Sequence, residues 1–261
     1  MLELVHWEPN GSWLKPLIAL HEKGAQFTSR WMDTDALEHF ALAHSHGVEA
    51  RLHLEREGPL LDHDGTLISG SWFMLEYIAD TLPGEDLQPD APYDRYRARA
   101  SGQFLGAHLG SLVPILGCVK YVTPRLAAQD RAALDARLAA VEPVERRNSW
   151  LALLNGTYTP QILDTARERL KFPVSRLEKT LGEGAWLAGP RYSIADIDAF
   201  AMLRCLPDLA PELLNARDTP RIADFLARVE ARPAVKAALA TSRSGKPGQH
   251  FVPGVEPSRW G

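Results

Sequence analysis

The sequence predicts a small α/β domain followed by an all-helical domain. Over residues 1–82, short apolar runs typical of strands are interspersed with helical patterns in the order β-α-β, a poorly defined segment, then β-β-α. Over residues 93–241, apolar residues recur almost everywhere at helical spacing. Residues 83–92 contain three prolines among acidic residues, which indicates a linker between the two domains.

Composition restricts the classes of function. The chain has 261 residues, of which 45% are hydrophobic and 24% charged, as in an ordinary globular protein. The net charge of −4 gives no basis for nucleic-acid binding, and no apolar run reaches the roughly 20 residues of a membrane span. The N-terminus lacks the basic region of a signal peptide, so we expect a cytoplasmic protein in which Cys118 and Cys205 are buried thiols.

The first domain begins with a strand, a helix and a second strand. Residues 2–7 alternate in polarity, as does a strand with one buried face. Residues 12–23 carry apolar side chains at helical spacing, and Gly24 is the predicted end of this helix. Residues 26–32 form the second predicted strand.

A β-hairpin comes next. Pro59 opens a short apolar strand, and because a proline at such a place is cis in some folds, we expect a cis peptide bond here. The dipeptide Asp64-Gly65 favours a tight hairpin turn, and a second short strand follows it. These features predict two antiparallel strands.

The hairpin leads directly into a helix over residues 72–82, for which Ser69 or Ser71 is the predicted N-cap. This arrangement leaves the backbone N–H and C=O of Gly58 free, beside the exposed amides of a helix N-terminus. Free backbone groups next to a helix start suit an extended peptide ligand that carries a carboxylate.

The second domain is predicted to consist of long helices and a tail. The helix ranges are about 93–121, 125–154, 160–181, 193–206 and 217–231, with a short final helix after Pro233. Ser193 and Asp196 have the pattern of a capping box, in which Ser193 caps the helix and Asp196 binds the Ser193 amide. Residues 242–261 are predicted to form an extended tail.

The chain resembles the glutathione transferase superfamily. Its members join a thioredoxin-like β-α-β-α-β-β-α domain through a linker to an all-helical domain, and the S-x-A-D box at residues 193–196 is a second marker. Within the superfamily the chain is most similar to the bacterial lignin β-etherases, in residues 13–17, 21–24, 145–150 and 172–178. The resemblance implies the glutathione transferase fold, an α/β thioredoxin-like N-terminal domain with an all-α C-terminal helical bundle.

Ser12 is the candidate catalytic residue. A serine at the predicted N-cap of the first helix has a structural role on its own. The resemblance implies a second role, in which the Ser12 hydroxyl donates a hydrogen bond to the sulfur of glutathione and, with the helix dipole, favours the thiolate. A shift of register would move this role to Asn10, Gly11 or Trp13.

Further residues correspond to glutathione-binding positions. Gly58-Pro59 resembles the Val-Pro pair whose backbone binds the cysteinyl part of glutathione, and Ser71 corresponds to the serine that binds the γ-glutamyl carboxylate. The residue before that serine is usually Glu or Gln, but here it is Gly70. A charge-assisted hydrogen bond is worth about 1.5–3 kcal/mol, so its loss weakens glutathione binding about tenfold to a hundredfold.

The region rich in histidine allows two interpretations. His53 and Arg56 are each candidates for a salt bridge to the glycyl carboxylate of glutathione. A metal site is the other interpretation, but the histidines lack the spacing and the carboxylate or thiolate partners that would complete one. These histidines are His39, His44, His46, His53 and His63. We therefore expect glutathione as co-substrate and no metal.

Three functions remain open. The first is a glutathione-dependent etherase that cleaves a lignin-derived β-aryl ether ketone, a hydrophobic aromatic substrate. The second is a non-catalytic or weakly catalytic subunit of a heterodimeric β-etherase, which Gly70 favours. The third is a general detoxifying glutathione transferase. The resemblance also implies a dimer, either of two identical chains or with a related one.

Four aromatic residues of the helical domain have two interpretations. Phe104, Tyr121, Trp150 and Tyr158 are predicted core residues, and one or two of them are candidates for the wall of an acceptor pocket facing Ser12.

Overall fold

A computed structural model describes residues 1–38, 58–141 and 144–254 of the chain. The first domain contains a four-stranded sheet. Its strands are β1 (Leu2–His6), β2 (Thr28–Trp31), β3 (Leu60–His63) and β4 (Thr66–Ser69). Their order in the sheet is β2-β1-β3-β4, so the N-terminal strand occupies a central position.

The connections of the sheet define a thioredoxin-like domain. Strand β1 is parallel to β2 and antiparallel to β3, which in turn is antiparallel to β4. A parallel pair needs a crossover, and helix α1 (Leu14–Glu22) supplies it after a single 3₁₀ turn, Gly11–Trp13. Helix α2 (Ser71–Thr81) follows β4. The predicted fold class of this domain is confirmed.

Several local predictions in the first domain are confirmed. The peptide bond between Gly58 and Pro59 is cis. Asp64 and Gly65 both have positive φ, 52° and 83°, as a two-residue hairpin turn of type I′ requires. The hairpin pairs Leu60 with Ser69 and ends at this turn.

Two predicted helix starts in this domain are wrong. Helix α1 begins at Leu14 and not at Ser12, because the chain first makes the 3₁₀ turn at Gly11, where φ is +51°. The N-cap of α2 is Gly70, and neither Ser69 nor Ser71 has this role. The chain leaves β4 with φ of 82° at Gly70, a conformation that glycine adopts without strain.

The second domain is helical, as predicted, but its first two predicted helices are divided into shorter ones. The helices are α3 (Pro92–Leu109), α4 (Leu112–Gly117), α5 (Thr123–Ala127), α6 (Arg131–Ala139), α7 (Val144–Leu154), α8 (Pro160–Thr180), α9 (Ile194–Leu203), α10 (Leu206–Leu209), α11 (Pro220–Glu230) and α12 (Pro233–Ala240). A π-helical turn, Cys118–Val122, joins α4 to α5, and residues 247–249 form a 3₁₀ turn.

The breaks in the helices have identifiable causes. The predicted helix 93–121 is interrupted after Leu109, at Gly110, which has a low helix propensity. The predicted helix 125–154 is interrupted at Asp130, whose carboxylate accepts a hydrogen bond of 2.7 Å from the amide of Ala133 and starts a new helix. Local hydrogen bonding by one side chain therefore overrides the continuous apolar pattern.

Helix α9 lies at the centre of the molecule, and nearly all of its residues are buried. The predicted capping box is present, because Ser193 Oγ accepts a hydrogen bond from the amide of Ala195, and Asp196 accepts one from the amide of Ser193 at 2.9 Å. The other carboxylate oxygen of Asp196 accepts from the amide of Leu187 at 2.9 Å. The box thereby also holds the loop before α9.

Both domains share one hydrophobic core, and charged pairs connect them. Lys15 of α1 forms a buried salt bridge of 2.6 Å to Asp198 of α9. Arg232, next to α12, donates hydrogen bonds to both carboxylate oxygens of Glu22 in α1, from Nε at 2.5 Å and from Nη2 at 2.8 Å. Trp72 of α2 fills the space where a side chain at position 102 of α3 would lie. Helix α1 is therefore packed on the helical domain from both of its ends.

In the described parts of the chain, no single helix has both the length and the apolar composition to cross a membrane. The helical segments Pro92–Leu109 and Leu112–Ala127 meet these criteria only when they are counted together, and the chain bends by 40° between them.

We predict that Lys15→Met lowers the free energy of unfolding by about 3–5 kcal/mol, because it leaves the buried Asp198 carboxylate without its cation. Chemical denaturation measures this loss. The matched control is the double variant Lys15→Met with Asp198→Leu, which should recover most of the stability, since neither charge then remains buried. An equal loss in the single and double variants would contradict the proposed cost of an unpaired charge.

A second prediction concerns pH. Burial raises the pKa of Asp196 to about 6 from an ordinary value of 3.8, although three N–H and O–H donors oppose the shift. The folded state binds this proton more tightly, so the stabilisation is present below about pH 4 and is lost as the pH rises through about 6. Relative to Asp196→Asn, the wild-type chain should lose about 3 kcal/mol of unfolding free energy across this range. If the difference in unfolding free energy between the two proteins does not change with pH, the raised pKa of Asp196 is refuted.

Candidate glutathione site

The Gly58-Pro59 turn lies at the start of β3, against the side chain of Trp13. A Cβ atom on Gly58 would lie 2.6 Å from Cη2 of the Trp13 indole, closer than real contacts allow. The Trp13 side chain is buried and belongs to a small cluster with Val5 and Leu60. Glycine at position 58 is therefore required by the tryptophan. The N–H and C=O groups of Gly58 make no hydrogen bond to any described residue.

Ser12 lies in the 3₁₀ turn between β1 and α1, and its side chain is exposed. Its hydroxyl caps no helix, because α1 starts two residues later with Trp13 as a non-bonding N-cap. Among the described residues the Ser12 hydroxyl has no hydrogen-bond partner. The group is thus available to a ligand at the N-terminal, positive end of α1.

The neighbouring positions do not offer an alternative donor. Asn10 is buried, and its Oδ1 accepts hydrogen bonds from Arg204 Nη1 at 3.2 Å and from Cys205 Sγ at 3.1 Å. Asn10 Nδ2 donates to the backbone carbonyl of His250 at 2.8 Å. Gly11 has no side chain, and Trp13 is buried. Of these four positions, Ser12 is the one that presents a hydroxyl to solvent.

The N-terminus of α2 is open. Gly70 is its N-cap, no described side chain caps it, and no acidic residue lies in its first turn. The first residue, Ser71, is half-buried, and its hydroxyl makes no hydrogen bond to a described residue. Glu76, further along the helix, is bound to Arg99 at 2.7 Å. The uncapped amides of the first turn are suited to a carboxylate.

Position 70 cannot take a glutamate without cost. With φ of 82° and ψ of 110°, Gly70 has a backbone conformation that costs a residue with a side chain about 1–3 kcal/mol. Gly70 offers no carboxylate, and a glutamate in its place would strain the chain at the start of α2.

The proposed partners of the glycyl carboxylate, His53 and Arg56, lie outside the described residues, as do His39, His44 and His46. His63 is described, and its Nδ1 is within 2.9 Å of the Tyr77 hydroxyl. Within the described ranges no group of three or more His, Cys, Asp or Glu side chains could hold a metal ion.

Glu8, which the sequence analysis missed, lies in the loop between β1 and the 3₁₀ turn and is 2% exposed. Its carboxylate accepts hydrogen bonds from the amides of Arg243 and Ser244 at 3.1 and 2.8 Å, and from the Ser242 hydroxyl. Part of the segment predicted as a tail is therefore packed against the first domain. No local pattern could identify this role, since the partners lie more than 230 residues apart.

The same segment continues over the helical domain. The His250 ring packs edge-on against Trp7 at 5.0 Å between centroids. Phe251 stacks on Tyr121 at 6.4 Å and fills the space next to Gly117. We use the term C-terminal strap for residues 242–254.

The four predicted aromatic residues are found at different depths. Trp150 is fully buried, whereas Phe104, Tyr121 and Tyr158 are partly buried against the core. The Tyr121 hydroxyl donates to Asp208. Cys118 and Cys205 are both buried, as predicted, and no disulfide joins them.

The fold and the open backbone groups together define a class of protein. A thioredoxin-like domain with a cis Gly-Pro turn, an uncapped helix N-terminus and a following all-helical domain is the architecture of a glutathione transferase. Residues 153–242 match the family model for the glutathione S-transferase C-terminal domain.

Comparisons with individual proteins agree. The chain is 27% identical over 251 residues to Protein LigF of Sphingobium sp. (strain SYK-6), covering 93% of this chain and 94% of that protein. The crystal structure of beta-etherase LigF matches with a TM-score of 0.81 and 26% identity, over 92% of this chain and 99% of that one. Glutathione transferase F7 from Populus trichocarpa matches with a TM-score of 0.67 and 19% identity, over 96% and 100%, which shows the fold alone. The chain therefore has the glutathione transferase fold, and it resembles members of the glutathione transferase superfamily over nearly its full length.

Proposed function

We propose that this protein is a glutathione-dependent β-etherase acting on an α-keto β-aryl ether. The observation that carries the proposal is the similarity to beta-etherase LigF, which extends over nearly the full length of both chains. The glutathione thiol loses its proton to solvent water, the thiolate sulfur forms a bond to the β-carbon, and the C–O bond of the ether breaks. A phenolate leaves and takes up a proton from water. The adjacent ketone activates the carbon, and the step needs no metal.

The residues of the site have distinct proposed roles. Ser12 donates a hydrogen bond to the sulfur and lowers the pKa of the glutathione thiol, assisted by the N-terminus of α1. The backbone of Gly58, before cis Pro59, pairs with the cysteinyl part of glutathione. Ser71 and the first amides of α2 bind the γ-glutamyl carboxylate.

His53 and Arg56 are proposed as partners of the glycyl carboxylate. Gly70 contributes its amide only, so the γ-glutamyl ammonium group has no carboxylate at this position. Glutathione binding should accordingly be weaker than in relatives with an acidic residue there.

Gly70 also supports a second candidate function, a weakly catalytic or non-catalytic subunit of a heterodimeric β-etherase. A subunit that does not itself turn over substrate has no need of the ammonium contact. A general glutathione transferase acting on small electrophiles is the remaining candidate, and it differs from the others in its acceptor.

We propose a dimer, of two copies or with a related chain, in the cytoplasm. The exposed aromatic side chains Phe73 on α2 and Tyr93 and Tyr96 on α3 support a contact face on these two helices, since they are 61%, 69% and 63% exposed. Sedimentation at micromolar concentration should show a species of about 58 kDa, twice the 28.9 kDa of one chain. A monomer under these conditions would refute a homodimer, and a dimer formed only with a related chain would support the heterodimer.

Ser12→Ala should reduce glutathione-dependent phenol release from a β-aryl ether ketone. One charge-assisted hydrogen bond is worth about 1.5–3 kcal/mol, so kcat/KM should fall about tenfold to a hundredfold, and the pKa of bound glutathione should rise by about 1–2 units. Because Ser12 caps no helix, the free energy of unfolding should change by less than about 0.5 kcal/mol. Ser175→Ala, at an exposed serine of α8, is the matched control.

The same assay separates the candidate functions. Phenol release by the isolated chain supports the etherase. Release only when a related chain is present supports the subunit, and Ser12→Ala should then leave the activity unchanged. Conjugation of small electrophiles without ether cleavage would favour the general transferase. No glutathione-dependent reaction, either by the isolated chain or together with a related chain, would refute all three candidate functions.

A further inference from the structure

The loop that presents Ser12 is attached to the C-terminal strap at two points. The buried carboxylate of Glu8 binds the backbone amides of Arg243 and Ser244. The buried amide group of Asn10 binds the carbonyl of His250 at 2.8 Å. Both anchoring side chains are less than 5% exposed, so these hydrogen bonds are shielded from competing water.

The loop has few other constraints. Its own backbone contributes three hydrogen bonds, from Asn10 N to the carbonyl of Glu8, from Trp13 N to the carbonyl of Asn10 and from Leu14 N to the carbonyl of Gly11. Gly11 lies between Asn10 and Ser12 with positive φ, and glycine has many alternative conformations of similar energy. The position of the Ser12 hydroxyl therefore depends on how firmly Asn10 is held.

The helical domain holds the strap on both sides of His250. Arg125 Nη1 donates to the carbonyl of Gln249 at 2.9 Å, and Phe251 is buried beside Tyr121. Asn10 Oδ1 is itself bound by Arg204 and Cys205 at the end of α9. The strap is thus bound to the helical domain and to a loop of the sheet domain, and it restricts the movement of that loop.

We propose that the C-terminal strap is a positioning element of the candidate glutathione site, and that Asn10 is a positioning residue through which it fixes the Ser12 hydroxyl. The inference rests on the proposed glutathione chemistry and deepens it. Asn10 does not contact the reacting atoms in this role. Its effect is on the geometry of the hydrogen bond between Ser12 and the thiolate sulfur, where small displacements are costly.

The test compares Asn10→Ala with Arg125→Met, which removes the hydrogen bond to Gln249 of the strap together with the salt bridge to Asp35. Asn215→Ala is the control in the helical domain. Hydrogen exchange of the amides of residues 8–13 is measured without ligand. The pKa of bound glutathione is measured from the ultraviolet absorbance of its thiolate, together with the Kd for glutathione and kcat/KM for phenol release.

For Asn10→Ala we expect faster exchange in the loop, a raised thiol pKa and a kcat/KM about tenfold lower, with a Kd changed by less than about threefold. Arg125→Met should act in the same direction with smaller amplitude, and Asn215→Ala should match the wild type. A positioning role predicts that the thiol pKa of bound glutathione rises while the Kd for glutathione stays nearly constant. General damage to the site would change the Kd as well.

Unchanged exchange and thiol pKa in Asn10→Ala would overturn the inference. An effect of Asn10→Ala without any effect of Arg125→Met would overturn the role of the strap, because the loop would then be fixed by Arg204 and Cys205 alone. If the wild-type chain binds no glutathione, the proposed function fails and the inference fails with it. If the wild-type chain binds glutathione and Asn10→Ala changes neither the hydrogen exchange nor the thiol pKa, only the positioning role is refuted.

Discussion

The buried salt bridge between Lys15 and Asp198 constrains how the two domains meet. A charge removed from water is tolerated only with a close and well-oriented partner, so α1 and α9 cannot slide past one another without exposing both ions to an apolar surrounding. Helix α1 follows directly after the turn that carries Ser12. This salt bridge therefore helps to fix the position of the site relative to the helical domain, together with the pair of Arg232 and Glu22 at the other end of α1. The capping box at Ser193 determines where α9 itself begins.

The candidate site uses backbone groups more than side chains. Gly58, Gly70 and the first amides of α2 contribute N–H or C=O groups, whereas Ser12 and Ser71 are the side chains with free hydroxyls. Such a site depends on the fold and tolerates large sequence differences, which is consistent with 27% identity to a relative over nearly the whole chain. Its precision has to come from elements that fix the backbone, and the C-terminal strap is one of them.

Local patterns in the sequence predict local features well. Asp64-Gly65 determines a hairpin turn, and the box at Ser193 determines a helix start, because each depends on residues within four positions. The N-cap of α2 was missed, since the positive φ of Gly70 depends on the direction in which β4 leaves the sheet. The roles of Glu8 and Asn10 were invisible for a stronger reason: their partners lie at the opposite end of the chain, and only the folded structure brings them together.

The contact between Gly58 and Trp13 has a consequence for the history of this chain. The indole occupies the volume that a valine at position 58 would need, so the two positions share one fixed volume. A change from glycine to a larger residue is compatible with this packing only after Trp13 has become smaller, and a smaller residue at 13 leaves a cavity until position 58 grows. Neither single step is neutral, so the pair should be inherited together, and homologues should separate into lineages with one combination or the other.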